Sequence, residues 1–95
     1  MSKKVAVVIK GKERQYEALR SSLGLLLEEH IVSMFVLGEE VDLTEEYKDN
    51  MGFIDEMGGI RYSNVAANVK MYGFESISLA EVPDKLRQND VIIAF

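Results

Sequence analysis

Four short segments of this sequence carry side chains suited to binding a ligand, and each follows an apolar run. They are Gly11-Lys12-Glu13-Arg14, Gly38-Glu39-Glu40, Ser63-Asn64 and the terminal carboxylate of Phe95. In an open α/β sheet, ligands bind in the crevice beyond the carboxyl ends of the strands. The candidate ligand-binding residues are therefore Gly11, Lys12, Arg14, Gly38, Ser63 and Asn64. Which of these segments adjoin depends on the strand order, which remains open at this point.

The first segment combines a glycine, two cations and a following helix N-terminus, which are the ingredients of an anion cradle. It matches neither of the glycine-rich nucleotide-binding motifs, so it carries no nucleotide specificity. Short charged turns of this kind are usually solvated, with Lys12 and Arg14 pointing into water. A solvated turn and a phosphate site are the two interpretations.

His30 is the only histidine, which limits both nucleophilic and metal chemistry. Ser63 follows a strand and opens a helix, so we expect its hydroxyl to face the crevice, but a nucleophilic serine needs a base. His30 ends the first predicted helix, at the opposite edge of the sheet, so we expect no Ser–His dyad and interpret Ser63 or Asn64 as a helix N-cap. A lone histidine does not make a metal site, and we expect His30 to interact with free carbonyls at the helix end. We predict no metal, no cofactor and no catalytic residue.

Composition narrows the functional classes further. The chain has 95 residues, no cysteine and a net charge of −5. The lack of cysteine excludes disulfides, thiolate metal sites and any persulfide held on this chain. The paired acids lack a calcium-loop pattern and are interpreted as solvated surface, and the negative charge disfavours nucleic acid. No segment reaches the roughly 18 apolar residues of a membrane span or resembles a secretory signal, so we expect one domain over residues 1–95, cytoplasmic and without membrane or nucleic-acid contacts.

The first half of the chain predicts a strand–helix–strand unit. The continuous apolar run at residues 5–9 is typical of a strand covered on both faces, as in a parallel sheet. Residues 31–37, apolar except for Ser33, predict a second buried strand. Between them, apolar residues recur at steps of three and four from Tyr16 to His30, which predicts an amphipathic helix. This order should form a right-handed crossover.

The second half alternates in the same way. It predicts a helix capped by Asp42 or Thr44 and closed by Gly58-Gly59, followed by a strand at 60–62. A second helix is predicted at 64–72, stopped by Gly73. A third helix has Pro83 near its first turn and runs through Arg87, and the last strand is predicted at 91–95. Strands alternating with helices predict a three-layer α/β/α sandwich around a mostly parallel sheet of four or five strands.

A group of methionine and aromatic residues, most of them in the second half, has two interpretations. They fill an ordinary core, or they form a subunit interface, where such residues are enriched. The group comprises Met34, Met51, Met57, Met71, Tyr47, Phe53, Tyr72 and Phe74.

The two ends of the sequence carry a recognisable pattern. A Lys-Lys-apolar strand leads into Arg14-x-Tyr16-x-Ala18-Leu19-Arg20, then Leu23-Gly24-Leu25-x-Leu27, then His30-x-Val32-x-x-Phe35-x-Leu37-Gly38-x-x-Val41, and the chain ends in Asn89-Asp90-Val91-Ile92-Ile93-Ala94-Phe95. This pattern resembles the DsrE/DsrF-like family of small sulfur-relay proteins over nearly the whole chain, loosely between residues 42 and 58. Its motifs are mainly structural, so the resemblance implies the DsrE-like fold more specifically than an activity.

The resemblance also locates a missing group. Active members of the family place a cysteine just after the third strand, ahead of a short helix that ends in a glycine. In this sequence that position falls at about Ser63 or Asn64. Neither side chain holds a persulfide, because an alcohol without an activating base is a poor nucleophile and an amide is poorer still. The family's assembly into homo-oligomers, often trimers or hexamers, and its docking of partner proteins remain as expectations.

We therefore expect a non-catalytic DsrE-like protein, an oligomeric binding or accessory module beside a sulfur-relay (sulfurtransferase) partner. A degenerate subunit that completes a heteromer with an active relative differs from this only in its partner. The alternative is a small-molecule or anion-binding protein, or an enzyme, that uses the strand-end crevice, with Lys12, Arg14, Ser63 and Asn64 around an anionic ligand.

Overall fold

The computed structural model describes residues 3–41 and 44–95, in which strands and helices alternate. The strands are β1 (Lys4–Ile9), β2 (Ile31–Val36), β3 (Ile60–Ser63), β4 (Glu75–Ser76) and β5 (Val91–Ala94). A 3-10 turn (Lys12–Arg14) leads into α1 (Gln15–Leu27), and the other helices are α2 (Glu45–Glu56), α3 (Ala66–Tyr72) and α4 (Val82–Leu86). None of these helices has the length and apolar character that crossing a bilayer requires.

The five strands form one sheet in the order β4-β3-β2-β1-β5, and every neighbouring pair is parallel. The predicted α/β class and the predicted number of strands are confirmed. The chain steps outward from β1 to β4 and then returns to place β5 on the other side of β1. The carboxyl ends of all the strands consequently meet at one edge of the sheet.

Helices cover the two faces of the sheet unequally. Residues of α1, α2 and α3 pack on Val5, Val7 and Ile9, and we call this side the three-helix face. On the other side, which we call the one-helix face, α4 is the only helix of the described residues that packs on Ala6 and Val8. Because β1 is buried on both faces, its sequence is a continuous apolar run rather than an alternating one.

The first helix is shorter than predicted. It ends at Leu27, and the chain turns through Glu29, which has a φ of 68°. The backbone N–H of Glu29 donates to the carbonyl of Leu26 and that of His30 to the carbonyl of Leu25, which is a Schellman motif. His30 thus bonds a helix-end carbonyl through its backbone, whereas its side-chain Nδ1 accepts the backbone N–H of Lys3 at 3.2 Å.

The second helix begins and ends as the sequence predicts. Thr44 is its N-cap, because its Oγ1 accepts the backbone N–H of Tyr47 at 3.1 Å. The alternative cap, Asp42, and the apolar Leu43 lie outside the described residues. After the helix, Gly58 has a φ of 85°, and a Cβ on Gly59 would lie 2.7 Å from Ile54 Cγ2. Both positions of the predicted glycine stop therefore need glycine.

The third helix begins two residues later than predicted. Val65 is its N-cap and makes no side-chain cap bond, so the N-cap interpretation of Ser63 or Asn64 is wrong. Ser63 is instead the last residue of β3. The predicted stop at Gly73 is confirmed, because this residue caps the helix with a φ of 72°.

The last third of the chain contains one strand that the sequence does not signal and one helix that it does. β4 consists of two polar, exposed residues and has no apolar run. Ser78 and Glu81 bond each other reciprocally, with the Ser78 hydroxyl 2.9 Å from Glu81 Oε1. Pro83 lies in the first turn of α4, and Arg87 is the C-cap, as predicted.

The core interpretation of the methionine and aromatic group holds for part of it. Met34, Met51, Tyr47 and Phe74 are buried in the core of the three-helix face, whereas Phe53, Met57 and Met71 are exposed. An interface role for the exposed three stays a prediction.

Candidate functional site

The six candidate residues lie at the carboxyl edge of the sheet, but in separate groups. Gly38, Ser63 and Asn64 follow or end β2 and β3. The Gly38 N–H donates to Asn64, and Ser63 donates to the carbonyl of Val36, the last residue of β2. Gly11, Lys12 and Arg14 follow β1 and contact other partners. The structure therefore does not assemble Lys12 and Arg14 with Ser63 and Asn64 around one ligand.

The hydroxyl of Ser63 is sealed inside the protein. Ser63 is fully buried, and its Oγ donates to the carbonyl of Val36 at 2.7 Å. The same oxygen accepts the backbone N–H of Val65 at 3.1 Å and the side-chain amide of Asn68 at 3.0 Å. A hydroxyl can donate one hydrogen bond and accept two, so these three bonds use its full capacity. The expectation that Ser63 faces the crevice is wrong, because its hydroxyl is buried and bonds the side-chain amide of Asn68 in α3.

His30 does not lie near Ser63. His30 binds the backbone of Lys3, just before the amino end of β1, whereas Ser63 ends β3 at the opposite edge of the parallel sheet. The geometry agrees with the prediction that the two residues form no dyad. Among the described residues, no three metal-ligating side chains cluster.

Side-chain amides hold the loop that follows β2 from Gly38 to Val41. Three amide residues, Asn64, Asn68 and Gln15, bond four consecutive backbone positions from Gly38 to Val41. The bonds are Gly38 N–H to Asn64 Oδ1 at 2.8 Å, Asn68 Nδ2 to the Glu39 carbonyl at 3.0 Å, Gln15 Nε2 to the Glu40 carbonyl at 3.3 Å, and Val41 N–H to Asn68 Oδ1 at 2.9 Å. We call this arrangement the amide clamp. It fixes the loop backbone and leaves the side chains of Glu39 and Glu40 exposed.

Asn68 is the centre of the amide clamp, and sequence reasoning missed it. It is fully buried and bonds Ser63, Glu39 and Val41. The signal was its spacing: Asn68 follows Val65 by three residues, which puts a polar side chain on the inward face of a short helix. A buried amide in that position must find partners.

The two cations that follow β1, Lys12 and Arg14, lie beside different groups. Arg14 pairs with Glu17 at 3.3 Å, and its guanidinium lies 5.4 Å from the centre of the Phe95 ring. Lys12 lines a cavity of about 610 Å³ between the start of α1 and the start of α2. Three carboxylates share its walls with this one ammonium group, from Glu13, Glu45 and Glu46. The charge of the cavity favours a cationic or polyhydroxyl molecule over an anion.

Two further polar side chains, Arg61 and Tyr47, are buried in the described core. Arg61 is nearly buried and forms a two-point ion pair with Asp55 at 2.7 and 2.8 Å, with its guanidinium 4.7 Å from the Phe74 ring centre. Tyr47 is buried, and its hydroxyl has no hydrogen-bond partner among the residues that the structure describes. Burial raises the pKa of Tyr47 to about 12. Tyr16, at the cavity, donates to Glu46 at 2.6 Å, and this bond raises its pKa.

The described residues of the edge thus offer fixed backbone, exposed carboxylates and one cavity, with no assembled nucleophile and base. Comparison with known proteins found no match among family models, curated proteins or solved structures.

Proposed function

We propose that this chain is a non-catalytic, DsrE-like binding or accessory protein that works as an oligomer beside a sulfur-relay partner and carries no persulfide itself. The sequence resemblance and the α/β layers with a parallel sheet support the scaffold. The lack of cysteine removes the sulfur-carrying atom. What remains for such a scaffold is to bind other proteins.

The observation that carries the proposal is the state of Ser63. The family's cysteine position corresponds to about Ser63 or Asn64, and a sulfur carrier needs an exposed atom there. Here Ser63 is fully buried and its hydroxyl makes three hydrogen bonds, while Asn64 holds the backbone of Gly38. Both side chains stabilise a loop, which is a structural use of a position that is chemical in the relatives.

A thiol introduced at Ser63 tests whether the position is closed. The variant Ser63→Cys should react with a thiol reagent about a hundredfold more slowly than Ser21→Cys, because reaction at a buried site needs local opening. Ser21 is the matched control, since it is an exposed serine in a helix. Equal rates in folded protein, with folding checked by circular dichroism, would show an accessible pocket and remove the main support for a non-catalytic role.

The oligomeric part of the proposal has a separate test. Light scattering on the 10.7 kDa chain at high micromolar concentration should give a mass that is a multiple of the monomer. A strict monomer would contradict this part.

A second candidate function rests on one specific observation, the cavity beside Lys12. Such a volume accommodates a small molecule. Because three carboxylates line the cavity with one ammonium group, spermidine is the probe expected to raise the melting temperature, and Glu45→Gln combined with Glu46→Gln should abolish its effect. Inorganic phosphate and a nucleotide test the alternative of an anion, whose effect Lys12→Ala combined with Arg14→Ala should abolish. An unchanged melting temperature with all three probes rejects this candidate.

A further inference from the structure

β5 is an edge strand whose apolar side chains are unusually exposed to solvent. All residues from 91 to 95 are apolar, with no charge and no proline. Nevertheless, Val91 is 37% and Ile92 is 52% exposed, and no residue of the strand is fully buried. Natural sheets usually protect an edge by shortness, charge or proline. The opposite edge does so, because β4 has only the two exposed polar residues Glu75 and Ser76.

The free side of β5 also presents backbone hydrogen-bonding groups. β5 pairs only with β1 among the described strands, and the N–H of Phe95 donates to the Val8 carbonyl at 2.8 Å. Successive residues of a strand direct their N–H and C=O groups to opposite sides. Val91, Ile93 and Phe95 therefore face β1, while Ile92 and Ala94 direct their backbone groups outward.

We propose that a second copy of this chain pairs with β5, antiparallel, around a twofold axis at Ile93. This inference rests on the oligomer of the proposed function and names its interface. In this register, Ile92 of each copy pairs with Ala94 of the other. The outward N–H and C=O groups of both residues then all find partners, four hydrogen bonds in total, and the only strand needed is β5 itself.

The side chains fit the same register. An antiparallel pair about an axis perpendicular to the sheet keeps each face on its own side. On the one-helix face, the large side chain of Ile92 then lies beside the small one of Ala94. On the three-helix face, Val91 lies beside Phe95, and the two copies of Ile93 meet at the axis. The exposed apolar surface of the strand is covered on both faces.

Charged side chains flank both ends of the paired strands. The Asp90 end of one copy lies alongside the Phe95 end of the other. The Asp90 carboxylate is held in place by the Lys4 backbone N–H at 2.9 Å. The other end carries two arginines beside Glu17, because Arg14 lies over the Phe95 ring and Arg20 lies close by. The pairing thus brings an Asp90 carboxylate of one copy towards arginines of the other, once at each end.

Two consequences follow for the assembly. A twofold contact is present in dimers and in hexamers built from two trimers, and absent from a lone trimer. A four-residue strand pair buries less than the ~800 Å² per partner of a standard stable interface, so this contact alone should dissociate in the micromolar range.

Single cysteines test the register, because the natural chain has none. At the axis, the two copies of residue 93 form a non-hydrogen-bonded pair with Cα atoms about 4.5 Å apart, within reach of a disulfide. Ile93→Cys should therefore cross-link under mild oxidation about tenfold faster than Ile92→Cys, whose two copies lie two residues out of register. Ile92 is the matched control because it is the more exposed of the pair, so random collision predicts the reverse order.

A proline tests the hydrogen bonds. Ala94→Pro deletes an outward N–H that β1 does not use and should raise the dissociation constant of the twofold contact about tenfold or more, measured by light scattering. Ala94→Ser keeps both the N–H and a small side chain and should not weaken association. Circular dichroism checks that each variant folds. If Ala94→Pro does not fold, the cross-linking rates of the two cysteine variants test the contact instead.

The outcomes separate the two proposals. An oligomer in which Ile93→Cys cross-links no faster than Ile92→Cys overturns the β5 contact and leaves the proposed function standing. A monomeric natural chain overturns both this contact and the oligomeric part of that function. A monomer whose Ala94 amide gains exchange protection only with a peptide of another protein assigns the edge to a foreign strand, which also overturns self-pairing.

Discussion

Replacing Asn68 by alanine should be among the most damaging single changes at the carboxyl edge. The substitution removes three hydrogen bonds, but their losses differ. Ser63 keeps two other partners, and the Glu39 carbonyl belongs to an exposed residue that water reaches. The N–H of Val41, a residue only 4% exposed, is left buried and unpaired. An unsatisfied buried donor costs about 1–3 kcal/mol, and the remaining bonds and the vacated volume bring the loss to roughly 2–4 kcal/mol.

The matched control is Asn64→Ala, the same substitution at the other asparagine of the amide clamp. Its Oδ1 accepts the Gly38 N–H at a similar distance, 2.8 Å, but at an exposed position. Water replaces that bond, so the loss should stay below about 1 kcal/mol. Urea unfolding followed by circular dichroism measures both, with the m-value checked for constancy. Equal losses, or less than about 1 kcal/mol for Asn68→Ala, would refute the view that buried amides hold this loop.

Three further substitutions test other parts of the fold. Glu29→Gly should raise the free energy of unfolding by about 0.5–1 kcal/mol, because the residue has a φ of 68° that glycine adopts without strain; a lower melting temperature would argue against strain there. Tyr47→Phe should leave stability at neutral pH unchanged or raise it by about 1 kcal/mol, since the hydroxyl is buried without a described partner. The pKa of Tyr47 is raised from 10.0 to about 12, so the natural chain binds this proton more tightly when folded. It should lose that stabilisation as the pH rises from 10.0 to about 12, and a pH titration of the melting temperature should show a smaller decline for Tyr47→Phe. Asp55→Ala should cost roughly 1–3 kcal/mol because it leaves the Arg61 charge buried, whereas Asp84→Ala, which breaks an exposed pair, should cost less than about 0.5 kcal/mol; similar losses in thermal unfolding would contradict the distinction.

The sequence predicts the layers of the fold because the buried strands and helix faces have clear apolar patterns. β1 and β2 are covered on both sides and are apolar except for Lys4 and Ser33. The glycine stops at 58 and 73 are readable because a positive φ favours glycine. By contrast, β4 is two polar residues paired to β3, and only tertiary structure makes it a strand. The sequence pattern places the end of α1 too far along the chain, because Glu29 takes a left-handed conformation without the usual glycine.

The candidate site was harder to predict than the fold. The sequence locates the carboxyl edge and residues such as Ser63 and Asn64, which do lie there. It does not show that Ser63 is buried, because that depends on how α3 packs and on a bond from Asn68, five residues away. It also does not show that Lys12 lies among carboxylates of α2, since that follows from the packing of α1 on α2. Burial and pairing are properties of the assembled layers.

The most direct test of the proposed function is native mass spectrometry of this chain mixed with a cysteine-bearing DsrE-like relay protein loaded with persulfide. The account predicts a complex of the two proteins, with the extra sulfur atom found only on the relay protein after dissociation. Extra sulfur on this chain, or no complex at high micromolar concentration, would contradict it.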